Sequence, residues 1–121
     1  MTRTIQDLVL ESHAISVSKG WHEGDAAVRK GDAYDHNRIA ALLMLITTEV
    51  AEACECVRDN QFHMFYEADT GKPEGLPSEL ADVVIRVADL CGALRIDLPN
   101  AIEEKLAYNR RRQHRHGGRA L

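Results

Sequence analysis

Four acidic residues stand out by their spacing: Glu49 with Glu52, then Glu79 with Asp82. On an α-helix, residues three apart differ by only roughly 60° around the axis, so each pair makes a two-carboxylate claw on one face. Like charges at this spacing cost an isolated helix about 0.2–0.5 kcal/mol per pair, and something must compensate. Within three or four positions of these acids the only basic residue is Arg86, four after Asp82; Glu49, Glu52 and Glu79 have none. Local ion pairs therefore leave three of the four acids unexplained.

Both claws border apolar positions. Glu49 sits next to Val50 between Ile46 and Ala53, and Glu79 and Asp82 are flanked by Leu80 and Val83, which draws them toward a helix interface. One reading is a solvated acidic face. The other is a set of convergent carboxylates, tolerable only if they share protons or bind cations. Oxygen donors without His or Cys suit Mg²⁺, with Mn²⁺ as a substitute. A dinuclear iron bundle would require Glu-x-x-His pairs, and the chain has none. Its histidines, His13, His22, His36, His63, His114 and His116, are scattered over loops, helix edges and the tail, and most of them read as ordinary surface residues.

The elements that must carry the claws are legible from apolar periodicity. Residues 4–18 place Ile5, Leu8, Val9, Ser12 and Ile15 at helical spacing, and Lys19-Gly20 ends that helix. Trp21 to Asn37 has no sustained period and reads as a long loop. From Arg38 to about Asp59, Ile39, Leu42, Leu43, Ile46, Val50, Ala53, Cys54 and Val57 recur every three or four residues without Gly or Pro. Residues 60–77 are rich in breakers, with room for a short turn at Phe62 to Tyr66. Pro77 then opens a third helix that reaches roughly Arg95, with Leu80, Val83, Val84, Val87 and Cys91 as its stripe. Asp97 is an N-cap with Pro99 behind it, starting a fourth helix to about Arg112, and the tail 113–121 reads as extended.

Four helices without a credible strand predict an all-α, four-helix bundle-like fold in a single domain spanning 1–121. A chain of 121 residues encloses one core and not two. Apolar residues on more than one face of the second and third helices predict pairing between subunits, as a homodimer or a dimer of dimers. No apolar run approaches the roughly 20 residues that span a bilayer, and no signal segment opens the chain, which predicts a cytoplasmic protein without membrane contact. Three cysteines make no disulfide framework; Cys54 and Cys91 are expected on apolar faces as small hydrophobes. A net charge of −4 argues against nonspecific nucleic-acid binding, yet every charged residue after Glu104 is basic. An acidic middle and a basic end suit a metal-bound polyphosphate.

Glu49-Val50-Ala51-Glu52 followed by Glu79-Leu80-Ala81-Asp82 resembles the E-x-x-E and E-x-x-D signature of the MazG-like nucleoside triphosphate pyrophosphohydrolases. The resemblance extends to Lys19-Gly20-Trp21, to Gly71-Lys72-Pro73-Glu74-Gly75, and to Lys105, Asn109, Arg112 and His116-Gly117-Gly118. It implies that Glu49, Glu52, Glu79 and Asp82 hold Mg²⁺ and that water attacks the α-phosphorus, giving a nucleoside monophosphate and pyrophosphate. It further implies phosphate or sugar contacts from Lys105, Asn109 and Arg112. Trp21 is open to two roles, stacking on the base or anchoring the fold. One departure leaves the general base open: members of that family often carry Glu just before the first motif, where this chain has Thr48. The rival from another class is a helical nucleic-acid-binding or regulatory module using Arg110-Arg111-Arg112, which leaves the acidic claws without a role.

Overall fold

The computed structural model describes residues 2–112. Four helices dominate it: α1 (Ile5–Ser18), α2 (His36–Arg58), α3 (Leu76–Leu94) and α4 (Leu98–Arg111). Each helix start has an identifiable chemical cause. At α1, Thr4 and Asp7 form a capping box, each side chain accepting from the other's backbone N–H at 3.0 Å. Asp35 caps α2 by accepting from the Arg38 N–H at 3.1 Å, and Asp97 caps α4 by accepting from Asn100. At the end of α3, Arg95 takes a left-handed conformation, and the Ile96 N–H donates back to the Cys91 carbonyl, closing the helix before α4.

Helix α3 is the spine, packing against α1 on one side and α2 on the other, while α4 folds back onto α1. The innermost cluster is Val9, Ala88 and Cys91, flanked by Leu8, Val87 and Leu98. This core is thin. Leu43, Val50, Val57, Leu80 and Val84, expected on the stripes of the second and third helices, are exposed, Leu43 and Val84 by about half. Their apolar stripes are wider than the arc a single neighbouring helix covers. Cys54 is likewise exposed and Cys56 is the buried thiol of that pair, a reversal of the expected face; Cys91 is buried as expected.

Two features correct the strand-free reading. Arg29–Lys30 (β1) pairs antiparallel with Ala33–Tyr34 (β2), and Phe65–Tyr66 (β3) pairs with Pro73–Glu74 (β4). Strands of two residues are too short for period-2 alternation to register in a sequence. The segment expected as a long loop from Trp21 to Asn37 is thus organised by a 3₁₀ turn at Gly24–Ala26 and a hairpin, and α2 starts at His36. Arg38 ties this segment to α2, its guanidinium donating to the carbonyls of Ala26 at 2.8 Å and Trp21 at 3.3 Å. The tail 113–121 lies outside the described residues. No helix among them is long and apolar enough to cross a membrane.

The second hairpin returns the chain to the start of α3 through Gly75, whose φ of +100° few L-residues adopt. A Cβ there would run into the His63 carbonyl oxygen. The Gly75 carbonyl accepts from the Glu79 N–H at 3.1 Å, so this turn sets the register of the second claw. Gly75→Ala is therefore expected to lower unfolding free energy by about 1–3 kcal/mol, read as a lower midpoint in urea denaturation.

Candidate functional site

Contacts between α2 and α3 run in opposite sequence directions: Cys56 lies by Gly75, Glu52 by Glu79, and Glu49 by Arg86. The helices are therefore antiparallel, and the two claws face each other. One carboxylate oxygen each from Glu49, Glu79 and Asp82 falls within a common 4.8 Å. Glu49 and Glu79 are buried, and Asp82 is half-buried. Glu52, on the outer side, is exposed and lies close enough to Glu79 to raise its pKa.

The charge balance of this interface is unfavourable. Arg86 reaches across from α3 to donate from Nε to Glu49 Oε1 at 2.7 Å. Sequence spacing pointed Arg86 at Asp82, four positions earlier; the buried partner on the facing helix takes it instead. Burial first, then the closeness and charge of Glu52 and the charges of Asp82 and Glu49, push the Glu79 carboxyl up to about 6. Asp82 is also raised, by burial first and then by Glu49, against the opposing pull of Arg86. Lys72, between the second hairpin's strands, pairs with Glu74 at 3.4 Å, which raises its pKa, and Glu79 and Glu52 add smaller upward pulls.

The donor set fits a hard divalent cation. Glu79 Oε2 is buried and has no hydrogen-bond partner among the described residues, an open acceptor in the middle of the cluster. Oxygen donors alone, from converging carboxylates, match Mg²⁺ or Mn²⁺. Glu49, Glu79 and Asp82 are the residues that could hold it directly, with Glu52 alongside.

A cavity of about 280 Å³ adjoins the acids, walled by Glu49, Asp82 and Arg86 together with Trp21, His22, Leu42, Leu45 and Asp89. Trp21 is exposed and lies on this wall. Lys105 and Asn109 are exposed on α4 and Arg112 is exposed just after it, and neither a hydrogen bond nor an ion pair links them to the four acids. None of the three lines the cavity, and the Lys105 ammonium sits 5.4 Å from the Tyr108 ring centroid.

Sequence reasoning missed three members of this region. Arg86 and Asp89 continue the spacing of Glu79 and Asp82 by four and three, making one polar stripe along α3; that continuation was the available signal. His22 carried none, because its position depends on how the segment after α1 folds back. Two of the histidines, most of which read as ordinary surface residues, are in fact held by Asp89, His13 at 2.9 Å and His22 at 2.9 and 3.1 Å. Comparison of the chain with models of known protein families, with curated proteins and with solved structures finds no match.

The raised carboxyls make stability depend on pH in a defined direction. A carboxyl whose folded pKa lies above its unfolded value of 4.5 stabilises the fold below that value and loses the contribution as pH rises through about 6. Asp7 and Asp35 are depressed by backbone N–H donors at their caps, so their opposing contribution is lost only near and below the ordinary Asp value of 3.8. In chelator, the melting temperature is therefore expected to rise by a few degrees between about pH 7 and about pH 5. Glu79→Gln is expected to flatten most of that slope in the same thermal scans.

Proposed function

We propose that this chain is a Mg²⁺-dependent nucleoside triphosphate pyrophosphohydrolase of the MazG-like kind, cleaving ribo- or deoxynucleoside triphosphates to the monophosphate and pyrophosphate. The observation that carries the reading is the convergence of Glu49, Glu79 and Asp82 across α2 and α3, with the Glu79 Oε2 acceptor left open. A solvated acidic face would present its carboxylates outward, whereas two of these are buried. The E-x-x-E and E-x-x-D resemblance names these three residues and Glu52.

Glu49, Glu79 and Asp82 would hold the ion, with Glu52 completing the set. When bound, Mg²⁺ supplies neutralisation of the polyphosphate and acidification of water. Arg86 orients Glu49 through its 2.7 Å bond and keeps one positive charge beside the phosphate path. Water adds to the α-phosphorus, the bond to the bridging oxygen breaks, and pyrophosphate leaves with that electron pair. The attacking water must give up a proton. Glu52, exposed at the edge of the cluster beside Glu79, is the carboxylate best disposed to take it. Thr48, a neutral hydroxyl that donates to the Leu45 carbonyl at 2.6 Å, is far too weak a base to replace it. Trp21 borders the cavity and offers an aromatic face to the base. The exposed apolar sides of α2 and α3 support a homodimer, or a dimer of dimers, as the working assembly.

A panel of ribo- and deoxynucleoside triphosphates with Mg²⁺ tests the reading through the inorganic product. Pyrophosphate is expected as that product, with activity abolished by excess chelator. Orthophosphate release, or a salt-sensitive nucleic-acid gel shift without hydrolysis, would count against it. Glu52→Gln is expected to lower kcat by at least about 100-fold with an unchanged far-ultraviolet dichroism spectrum; activity within a few-fold of the parent would remove Glu52 from the reaction.

A further inference from the structure

A second polar cluster, separate from the four acids, draws on three parts of the chain: His13 on α1, His22 in the segment after it, and Asp89 on α3. His13 Nδ1 and His22 Nε2 both lie 2.9 Å from Asp89 Oδ1, and one donor atom from each residue falls within a common 4.8 Å. The His22 side chain is nine-tenths buried, and that of Asp89 is less than one-fifth exposed. The ring nitrogens that face Asp89 are bonded to it, and the open atom is on the other side of the His22 ring. His22 Nδ1 is buried without a partner among the described residues, and both rings crowd one oxygen of the carboxylate.

The 2.9 Å separations are those of hydrogen bonds, and they also bring three donor atoms close enough to share one ion. Two donors each about 2.0–2.1 Å from a common metal lie about 2.9 Å apart at a right angle and about 3.4 Å apart at a tetrahedral angle. Two imidazole nitrogens and a carboxylate suit a borderline first-row ion and not Mg²⁺, which prefers oxygen. Close packing supports the placement: a Cβ on Gly92 would come within 2.6 Å of the His13 Cβ, so the missing side chain lets α1 approach α3 one turn beyond Asp89.

We propose that His13, His22 and Asp89 form a binding site for Zn²⁺ or a similar first-row divalent ion, distinct from the four-acid centre. Asp89 follows Asp82 by seven residues, roughly 10.5 Å along the helix axis. About two turns of α3 thus separate the two clusters, and the ion at this one acts as a clamp. It joins the segment after α1 to both α1 and α3, and thereby holds Trp21, the neighbour of His22, at the cavity wall. Three protein ligands leave a coordination position for water.

Calorimetric titration of the metal-free full-length chain with Zn²⁺ alone, and absorption spectra with Co²⁺ alone, test this. One Zn²⁺ per chain is expected to survive both Glu49→Gln/Glu79→Gln and replacement of His114 and His116 by Gln. His22→Ala and Asp89→Asn are each expected to weaken it by at least about tenfold. The Co²⁺ visible band should follow the same pattern, with helical dichroism checked for every variant. Should His22→Ala fail to fold, proton NMR of the parent chain decides: Zn²⁺ must shift the ring signals that the His13→Gln and Asp89→Asn spectra assign to this cluster. Zn²⁺ uptake that disappears with the four-acid variant or with His114 and His116, or no uptake at all, overturns the proposal. Hydrolysis measured with Mg²⁺ is read separately, so either idea can fail without the other.

Discussion

Carboxylates drawn from two helices into one interface repel one another unless protons or cations stand between them, and low local dielectric makes the repulsion worse. Here Glu49, Glu79 and Asp82 crowd the α2–α3 contact, and Arg86 is the only guanidinium among the described residues that hydrogen-bonds one of them. The raised Glu79 and Asp82 carboxyls are the direct consequence. Such an arrangement costs stability in the empty protein. It persists because the fold holds it from several sides: the antiparallel helix pair, the Gly75 turn that starts α3, and the cross-helix arginine.

Helix α3 concentrates most of the chemistry. Glu79, Asp82, Arg86 and Asp89 follow one another at intervals of three, four and three, so a single stripe that would ordinarily be apolar is polar throughout. The opposite side supplies Ala88 and Cys91 to the core against Val9. A helix built this way couples its two halves. The α2 contact meets the first part of the stripe, and the segment carrying Trp21 and His22 meets the last. The cavity between them borders both polar clusters, which makes its shape dependent on the packing of the segment after α1.

The thin core follows from the same allocation of surface. Polar residues occupy positions that a larger apolar stripe would use, and no large side chain among the described residues is completely buried. Leu43, Val50, Leu80 and Val84 instead face outward on α2 and α3.

Much of this architecture is determined locally, and local determinants are what a sequence displays. The Thr4 and Asp97 caps, the Pro77 and Pro99 helix starts and the 3.6-residue apolar period are properties of neighbouring residues, and all four helices follow from them. The two claws belong to the same class, since residues three apart share a face in any helix. What neighbouring residues do not contain is the facing element. Arg86 turning to Glu49, Cys56 and not Cys54 facing inward, and the two-residue hairpins all depend on contacts between distant segments. The His13–His22–Asp89 cluster is the extreme case, because its members lie 67 and 76 positions from their common partner. Periodicity determines which way a side chain leaves its own helix; only packing decides what it meets.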